Sequence, residues 1–235
     1  MDLSIVIPAY NEADRLPETL RRIAAYFQND SRTFEIIVVD DGSTDATVQL
    51  AEQAPIPVRV IRQPKNMGKG AAVRTGMAAA QGEWRYLCDA DLSTPIEDLE
   101  KLWSRRAEAD IILGSRRMPG SQVMKHQSRL KEIFGQLGNL LIQLLVAPGI
   151  HDTRCGFKLF SARTKKVFQV QRLNNFSYDD EIIFIARHHH LRVLEVPVRW
   201  VNDERSKVKM SDYLKTLSDL VKIRYFQTRG FYTFS

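Results

Sequence analysis

The sequence is poor in cysteine, with two thiols, Cys88 and Cys155, among 235 residues. They match no metal-ligand spacing and are too few for a disulfide framework, so a reducing compartment is expected. Long apolar runs are also lacking. None reaches the roughly 20 residues that span a bilayer. The nearest approach, "IFGQLGNLLIQLLVAPGI" at 133–150, is broken by Gln136, Asn139 and Gln143. That segment reads as either a core helix or a helix lying on a membrane surface. The opening "LSIVIPAY" is too short for a secretory leader and meets Pro8 at once. Internal repeats, low-complexity tracts and flexible linkers are missing, which favours one domain. Apolar content of 44% and charged content of 26% exclude a disordered chain. The "HHH" run at 188–190 lies inside the chain and reads as a solvated helix face.

What is present is charge, unevenly placed. Residues 1–115 carry 13 basic and 18 acidic side chains, a formal −5. Residues 116–235 carry 21 basic and 10 acidic, a formal +11. Such asymmetry predicts an anionic partner for the second half.

Apolar runs alternate with helical patterns through the first half. Strands are predicted at 3–10, 34–45 (running into acidic turn residues), 58–63, 84–91 and 110–116. Helices are predicted after Glu12, over 44–53, 68–80 and 95–108. In the first helix Leu16, Leu20, Ile23, Ala24 and Phe27 share one face. Ser43 or Thr44 is expected to cap the second. The alternation implies βαβ units and a largely parallel sheet covered on both sides. Ligands bind such sheets beyond the carboxyl ends of the strands. Three polar clusters fall there: "PAYNE" at 8–12, "DDGSTD" at 40–45 and "DAD" at 89–91.

Each cluster suits part of a nucleotide-linked substrate. Tyr10 offers a plane for a base, and Glu12 a hydrogen-bond acceptor. Asp41 could accept from a base N–H or a ribose hydroxyl, whereas Asp45 suits the first turn of the next helix. "NMGKGAAVRTG" at 66–76 has neither the Walker order nor the dinucleotide fingerprint. Its Gly68 and Gly70 nevertheless permit close backbone approach, and Lys69 and Arg74 place charge near a helix start, suiting a diphosphate. Asp89 and Asp91, two apart on a predicted strand, face the same way. Their mutual repulsion calls for a cation, and Mg²⁺ or Mn²⁺ shared with substrate phosphates would supply it.

These motifs, in this order, resemble the family 2 glycosyltransferases, which use nucleotide-sugar donors on a GT-A fold. The second half narrows the likeness. "GSRRMPGS", "IHDTRCGFKLFSA", "NNFSYDDEIIFIA" and "VPVRWVNDERSKVK" resemble the polyprenyl (dolichyl) phosphate glycosyltransferase branch. The closing "MSDYLKTLSDLVKIRYFQTRG" is most similar to its glucose synthases rather than its mannose synthases. The resemblance implies a GT-A α/β fold with a mixed, mainly parallel sheet. It implies a glycosyltransferase domain over 1–210, divided into a nucleotide-sugar half (1–115) and an acceptor half (116–210), with an amphipathic helical extension at 211–235. It implies that Pro8, Tyr10, Glu12 and Asp41 hold the nucleoside, and that Asp89, Ala90 and Asp91 hold metal and diphosphate. It implies further that Arg117 grips the acceptor phosphate with Arg129 or Lys131.

The implied reaction is inverting transfer from a nucleotide-sugar, UDP-glucose by the likeness, to a polyprenyl phosphate. A phosphate monoester is already largely dianionic near neutral pH and needs no general base, only cations to position it. Asp179 and Glu181 keep two readings. They suit the N-terminus of the helical pattern "DDEIIFIARHHH", or else they order sugar hydroxyls or an arginine near the anomeric centre. Family members often carry membrane-spanning helices at one end. These residues contain none, so peripheral attachment to the cytoplasmic face of a membrane is expected. The helix at 126–147 and the last 25 residues are its candidates, and packing on the domain or on a second copy of the chain is the alternative.

Three rival readings compete with this one. A family 2 enzyme acting on a sugar hydroxyl of a glycan or lipid-linked oligosaccharide would need a carboxylate base, such as Asp179 or Glu181. A nucleotidyltransferase should open with a Gly-rich, Arg-containing loop where this chain has "PAYNEADRL". A nucleic-acid binder is disfavoured, since the acidic crevice would repel a phosphate backbone and no stacking-aromatic ladder is present.

Overall fold

Strand β1 (Leu3–Ala9) is buried along its whole length, as an apolar run covered on both sheet faces must be. The rest of the sheet forms around it in the computed structural model. This describes residues 1–124, 138–201 and 210–234, apart from the side chains of 210–214. The other strands are β2 (Phe34–Asp40), β3 (Arg59–Arg62), β4 (Trp84–Leu87), β5 (Ile111–Ser115), β6 (Gln122–Val123), β7 (Lys158–Ser161), β8 (Val193–Pro197) and β9 (Arg199–Trp200). Seven form one sheet in the order β3-β2-β1-β4-β7-β5-β8, while β6 and β9 pair separately. Strands β1 to β4 run parallel, and β5 pairs parallel with β8. Between them β7 is antiparallel to both β4 and β5. The sheet is therefore mixed and mainly parallel.

Helices cover both faces: α1 (Leu16–Phe27), α2 (Thr47–Glu52), α3 (Lys69–Ala79), α4 (Leu99–Trp103), α5 (helical residues 138–145), α6 (Lys165–Val170), α7 (Tyr178–His188) and α8 (Met210–Thr228). Proline in its first turn starts α1, which buries Leu16, Leu20, Ile23 and Phe27 on one face. Alternation along β1 divides the core. Ile5 and Ile7 pack with Leu16, Leu20 and Leu99, whereas Val6 packs with Val73, Met77, Ile182 and Leu220. The C-terminal helix belongs to this second cluster through Leu220 and Ile223, and Tyr232 beyond it is buried there too. Among the described residues no helix is long and apolar enough to cross a membrane.

Several predicted elements run shorter in the structure. Strand β4 stops at Leu87, so Asp89 and Asp91 sit in a turn rather than on one strand face. The helix predicted over 95–108 is a 3₁₀ turn (Ile96–Asp98) followed by five α-helical residues. Neither Ser43 nor Thr44 caps α2. The cap position is Ala46, and Ser43 Oγ instead accepts from the Asn11 amide at 2.9 Å. Asp45 does serve that helix start, its Oδ1 accepting from the Thr47 amide at 3.0 Å. Of the helix expected over 126–147, residues up to 137 lie outside the described residues.

Candidate active site

The chain leaves β1 to one side for β2 and β3, then returns on the other side as β4. This reversal opens a crevice beyond the carboxyl ends of β1 and β4, where open α/β sheets bind ligands. In register, Ala9 lies level with Asp40, and the Cys88 amide bonds the Val6 carbonyl at 3.0 Å. Tyr10, Asp41 and the Asp89–Asp91 turn therefore share one rim.

The turn is anchored from below. Thr19 Oγ1 of α1 donates to the Ala90 carbonyl at 2.7 Å, and the Leu92 amide reaches back to the Asp89 carbonyl at 3.2 Å. Asp89 Oδ1 accepts from Lys69 Nζ, the first residue of α3, at 2.6 Å. Burial opposes ionisation of Asp89, but Lys69 outweighs it, and the carboxyl titrates below its ordinary value. Asp91 lies the other way. Burial and the neighbouring Asp89 charge raise its pKa, while its Oδ1 accepts from the Ser93 amide at 3.0 Å. Arg15 approaches Asp91 at 3.7 Å while gripping Glu12 through two 2.6 Å bonds.

The residues expected to hold the nucleoside divide by exposure. Tyr10, just past β1, is 36% exposed and presents its ring at the rim, whereas Pro8 is buried inside the strand, level with Val39. Glu12 is largely buried against Arg15. Both oxygens of Asp41 are occupied, accepting from the Met67 and Gly68 amides at 2.8 Å each. Asp41 thus ties down the glycine-rich loop and positions Lys69. Gly68 needs its positive φ of 100° there, and a Cβ would meet the Asn174 carbonyl oxygen at 2.3 Å.

Strand β7 brings the "DTRCGFK" segment beside the acidic turn. Gly156 lies so close to Asp89 that a Cβ would fall 1.8 Å from Oδ2. Lys158 is fully buried, and its Nζ donates to Asp179 Oδ1 at 2.6 Å and to the Cys155 carbonyl. Arg154 pairs with Asp180 at 2.7 Å, with Thr153 Oγ1 donating to the same carboxylate at 2.6 Å. Asp152 holds Arg116 through two bonds at 2.7 and 2.8 Å, and the Arg116 guanidinium lies 5.2 Å from the Trp200 ring centroid. Arg117, immediately after, is exposed.

The structure brings Asp179 towards the crevice and turns Glu181 away from it. Burial raises the Asp179 pKa against the pull of Lys158 and Lys69. Two residues on, along α7, Glu181 accepts from the Arg172 and Leu173 amides and from the Tyr232 hydroxyl, at 3.0, 2.8 and 2.7 Å. Its carboxylate holds the fold together. Arg129 and Lys131 lie outside the described residues. Sequence reasoning missed the positioning roles of Arg15, Arg116, Asp152 and Lys158. For Arg116, Asp152 and Lys158 the spacing carried no signal, because each finds its partner only in the folded chain, whereas Arg15 lies three residues from Glu12 and the pair was legible as a local contact.

Among the described residues no cluster of three His, Cys, Asp or Glu could hold a metal. Asp89 and Asp91 form a two-carboxylate oxygen donor set, which fits Mg²⁺ or Mn²⁺ when substrate phosphates and water complete the shell. Asp89 already carries one cationic partner, the Lys69 ammonium at 2.6 Å.

Residues 4–168 match the model for Glycosyl transferase family 2. The chain is 35% identical over 248 residues to a dolichyl-phosphate beta-glucosyltransferase of Trichomonas vaginalis, covering 98% of this chain and 75% of that protein. It is 33% identical over 243 residues to the dolichyl-phosphate beta-glucosyltransferase of Homo sapiens, covering 94% and 74%. In fold it is similar to mannosyl-3-phosphoglycerate synthase from Rubrobacter xylanophilus, with a TM-score of 0.72 at 18% identity over 98% of this chain and 75% of that one. Glucosyl-3-phosphoglycerate synthase from Mycobacterium tuberculosis, solved with Mn²⁺ and UDP-glucose, gives 0.67 at 15% identity over 94% and 77%. At those identities the solved structures establish the GT-A fold alone.

Proposed function

Because this chain belongs to glycosyltransferase family 2, we propose that it transfers glucose from UDP-glucose to a polyprenyl phosphate of the dolichyl type, inverting the anomeric carbon. The acceptor phosphate oxygen forms the new bond to the anomeric carbon. The bond to the nucleoside diphosphate breaks on the opposite face, so an α-linked donor gives a β-linked product. The reading rests on the chemistry of the carboxylates around the crevice. Asp179 is engaged by buried Lys158 and Glu181 by backbone amides, which leaves both poorly placed to act as a base. A phosphate acceptor needs none. The names of the full-length relatives support the same acceptor class.

Within this reading Tyr10 stacks the base, while Asp41 orders the loop that presents Lys69 to the diphosphate. Asp89 and Asp91 would hold Mg²⁺ or Mn²⁺, which when bound neutralises charge on the leaving diphosphate. Arg117 supplies a planar fork for the acceptor phosphate. The two halves, 1–115 and 116–210, divide the donor and acceptor between them. A lipid acceptor places the enzyme at the cytoplasmic face of a membrane, touching it through exposed apolar side chains of α5 and α8.

The test is a panel of UDP- and GDP-sugars offered with a polyprenyl phosphate and Mg²⁺ or Mn²⁺. Labelled lipid should form from UDP-glucose, vanish with chelator and with Asp91→Asn, and require more lipid phosphate with Arg117→Ala. Equal turnover in chelator overturns the metal assignment. Transfer to a free sugar hydroxyl, lost in Asp179→Asn, overturns the acceptor.

A further inference from the structure

The far end of α7 from the catalytic crevice borders an open cleft of about 330 Å³, walled by α5, α7 and α8. Asp179 and Arg187 are eight residues apart on that helix, so the cleft lies about 12 Å from the crevice along its axis. Its lining combines Leu144 and Leu145 with Arg187, His188 and Arg224, and holds no acidic side chain. Leu144 is 68% exposed. Along α8, which supplies Arg224 to the cleft, Leu217, Val221 and Tyr225 recur every four residues and form an exposed stripe.

The cations are held rather than loose. The Arg187 guanidinium donates to the Pro148 carbonyl, which uses one of its five N–H donors. Arg224 lies 5.6 Å from the Phe184 ring centroid, and His188 stacks on the same ring from 6.2 Å. Two guanidinium forks beside bare leucines form a site for a group that is both anionic and attached to something apolar. A free anion would pair with the arginines but leave the leucines and the α8 stripe in water. An anionic phospholipid satisfies both, with its phosphate on the forks and its glycerol and acyl carbons against the leucines.

We propose that this cleft binds the headgroup of an anionic phospholipid and fixes how the enzyme sits on its membrane, separately from the site that takes the acceptor. The proposal deepens the membrane attachment named above and rests on it. Two cations presented to an anionic leaflet attract it independently of the catalytic chemistry.

Flotation of the full chain with phosphatidylcholine vesicles, with and without phosphatidylserine, tests it. The wild type should float with the serine-containing vesicles and release as salt rises. Arg187→Gln/Arg224→Gln should weaken vesicle binding about 30-fold, the two charges acting independently. Arg224→Gln alone and Leu144→Ser, both at exposed positions, should weaken it in part. All should keep wild-type melting and wild-type binding of UDP with Mn²⁺. Equal flotation of the double variant overturns the cleft but leaves membrane attachment standing. Failure of the wild type to float with any vesicle removes both. Release by inorganic phosphate at constant ionic strength would make the cleft a free-anion site. Self-association abolished by Leu144→Ser would make a second copy the occupant. Either outcome overturns the lipid.

Discussion

Replacing Gly156 with alanine sets one methyl group against the carboxylate of Asp89. The added carbon would lie 1.8 Å from Oδ2 and 2.3 Å from Cγ. Gly156 does not have a positive φ, so the backbone accepts alanine and the whole cost is that contact. Clearing it to 3.0 Å moves Oδ2 by at least 1.2 Å. The backbone has little freedom to recede, because the Phe157 carbonyl accepts from the Gly114 amide at 2.8 Å and the Cys155 carbonyl is held by Lys158. The carboxylate must yield, and turning away strains its 2.6 Å bond to Lys69. Overpacking of this kind costs about 1–3 kcal/mol of stability. Misplacing a reactive group by about 1 Å costs on the order of 100-fold in rate. Gly156→Ala should therefore stay folded, lose about 100-fold in sugar transfer and bind UDP with Mn²⁺ more weakly by calorimetry. Gly138→Ala, where an added carbon meets nothing within 4 Å, is the matched control and should leave both unchanged. Transfer and binding by Gly156→Ala within about threefold of wild type would refute the placement of Asp89.

Lys158→Met leaves Asp179 buried without its partner and should destabilise the protein by about 3–5 kcal/mol in urea unfolding. Adding Asp179→Leu should recover most of that loss, and a double variant no more stable than the single one would contradict the pairing. Asp152 supplies a pH dependence. Burial opposes its ionisation, Arg116 outweighs burial, and the carboxyl falls below its usual 3.8. A depressed carboxylate contributes stability above its unfolded pKa, and that contribution disappears as pH falls through the folded value. The urea midpoint of Asp152→Asn should thus start lower than wild type and fall less steeply below pH 3.8. Parallel acid limbs would remove the Arg116–Asp152 pair from the acid response.

The alternation of apolar runs with helical faces was enough to read the parallel half. Such patterns follow from local burial: β1 is apolar but for Ser4 because both its faces are covered, and α1 repeats apolar residues at helical spacing because one face is. The rim motifs were legible for the same reason, since polar residues ending buried strands must lie beyond the sheet's carboxyl edge. Tyr10, Lys69, Asp89 and Asp91 all lie there. The reason given for pairing the two aspartates did not survive. Strand β4 ends early, and a turn bonded to Thr19, not strand alternation, sets their geometry.

Long-range pairing was hidden. Antiparallel β7 joins the sheet from far along the chain, and it carries Gly156 against Asp89 and Lys158 against Asp179. Such contacts are decided by which strands lie side by side, and no local periodicity encodes that. Glu181 shows the same limit. In sequence it is an acid at a helix start like Asp179, yet helical rotation sends it to the amides of Arg172 and Leu173. The chain alone thus determined the fold class, the polar rim beyond the strand ends and the cationic second half, because each is written in nearby residues. Only the tertiary structure decided which carboxylates face the crevice and which hold the protein together, because a charge takes its role from the partner that folding places beside it.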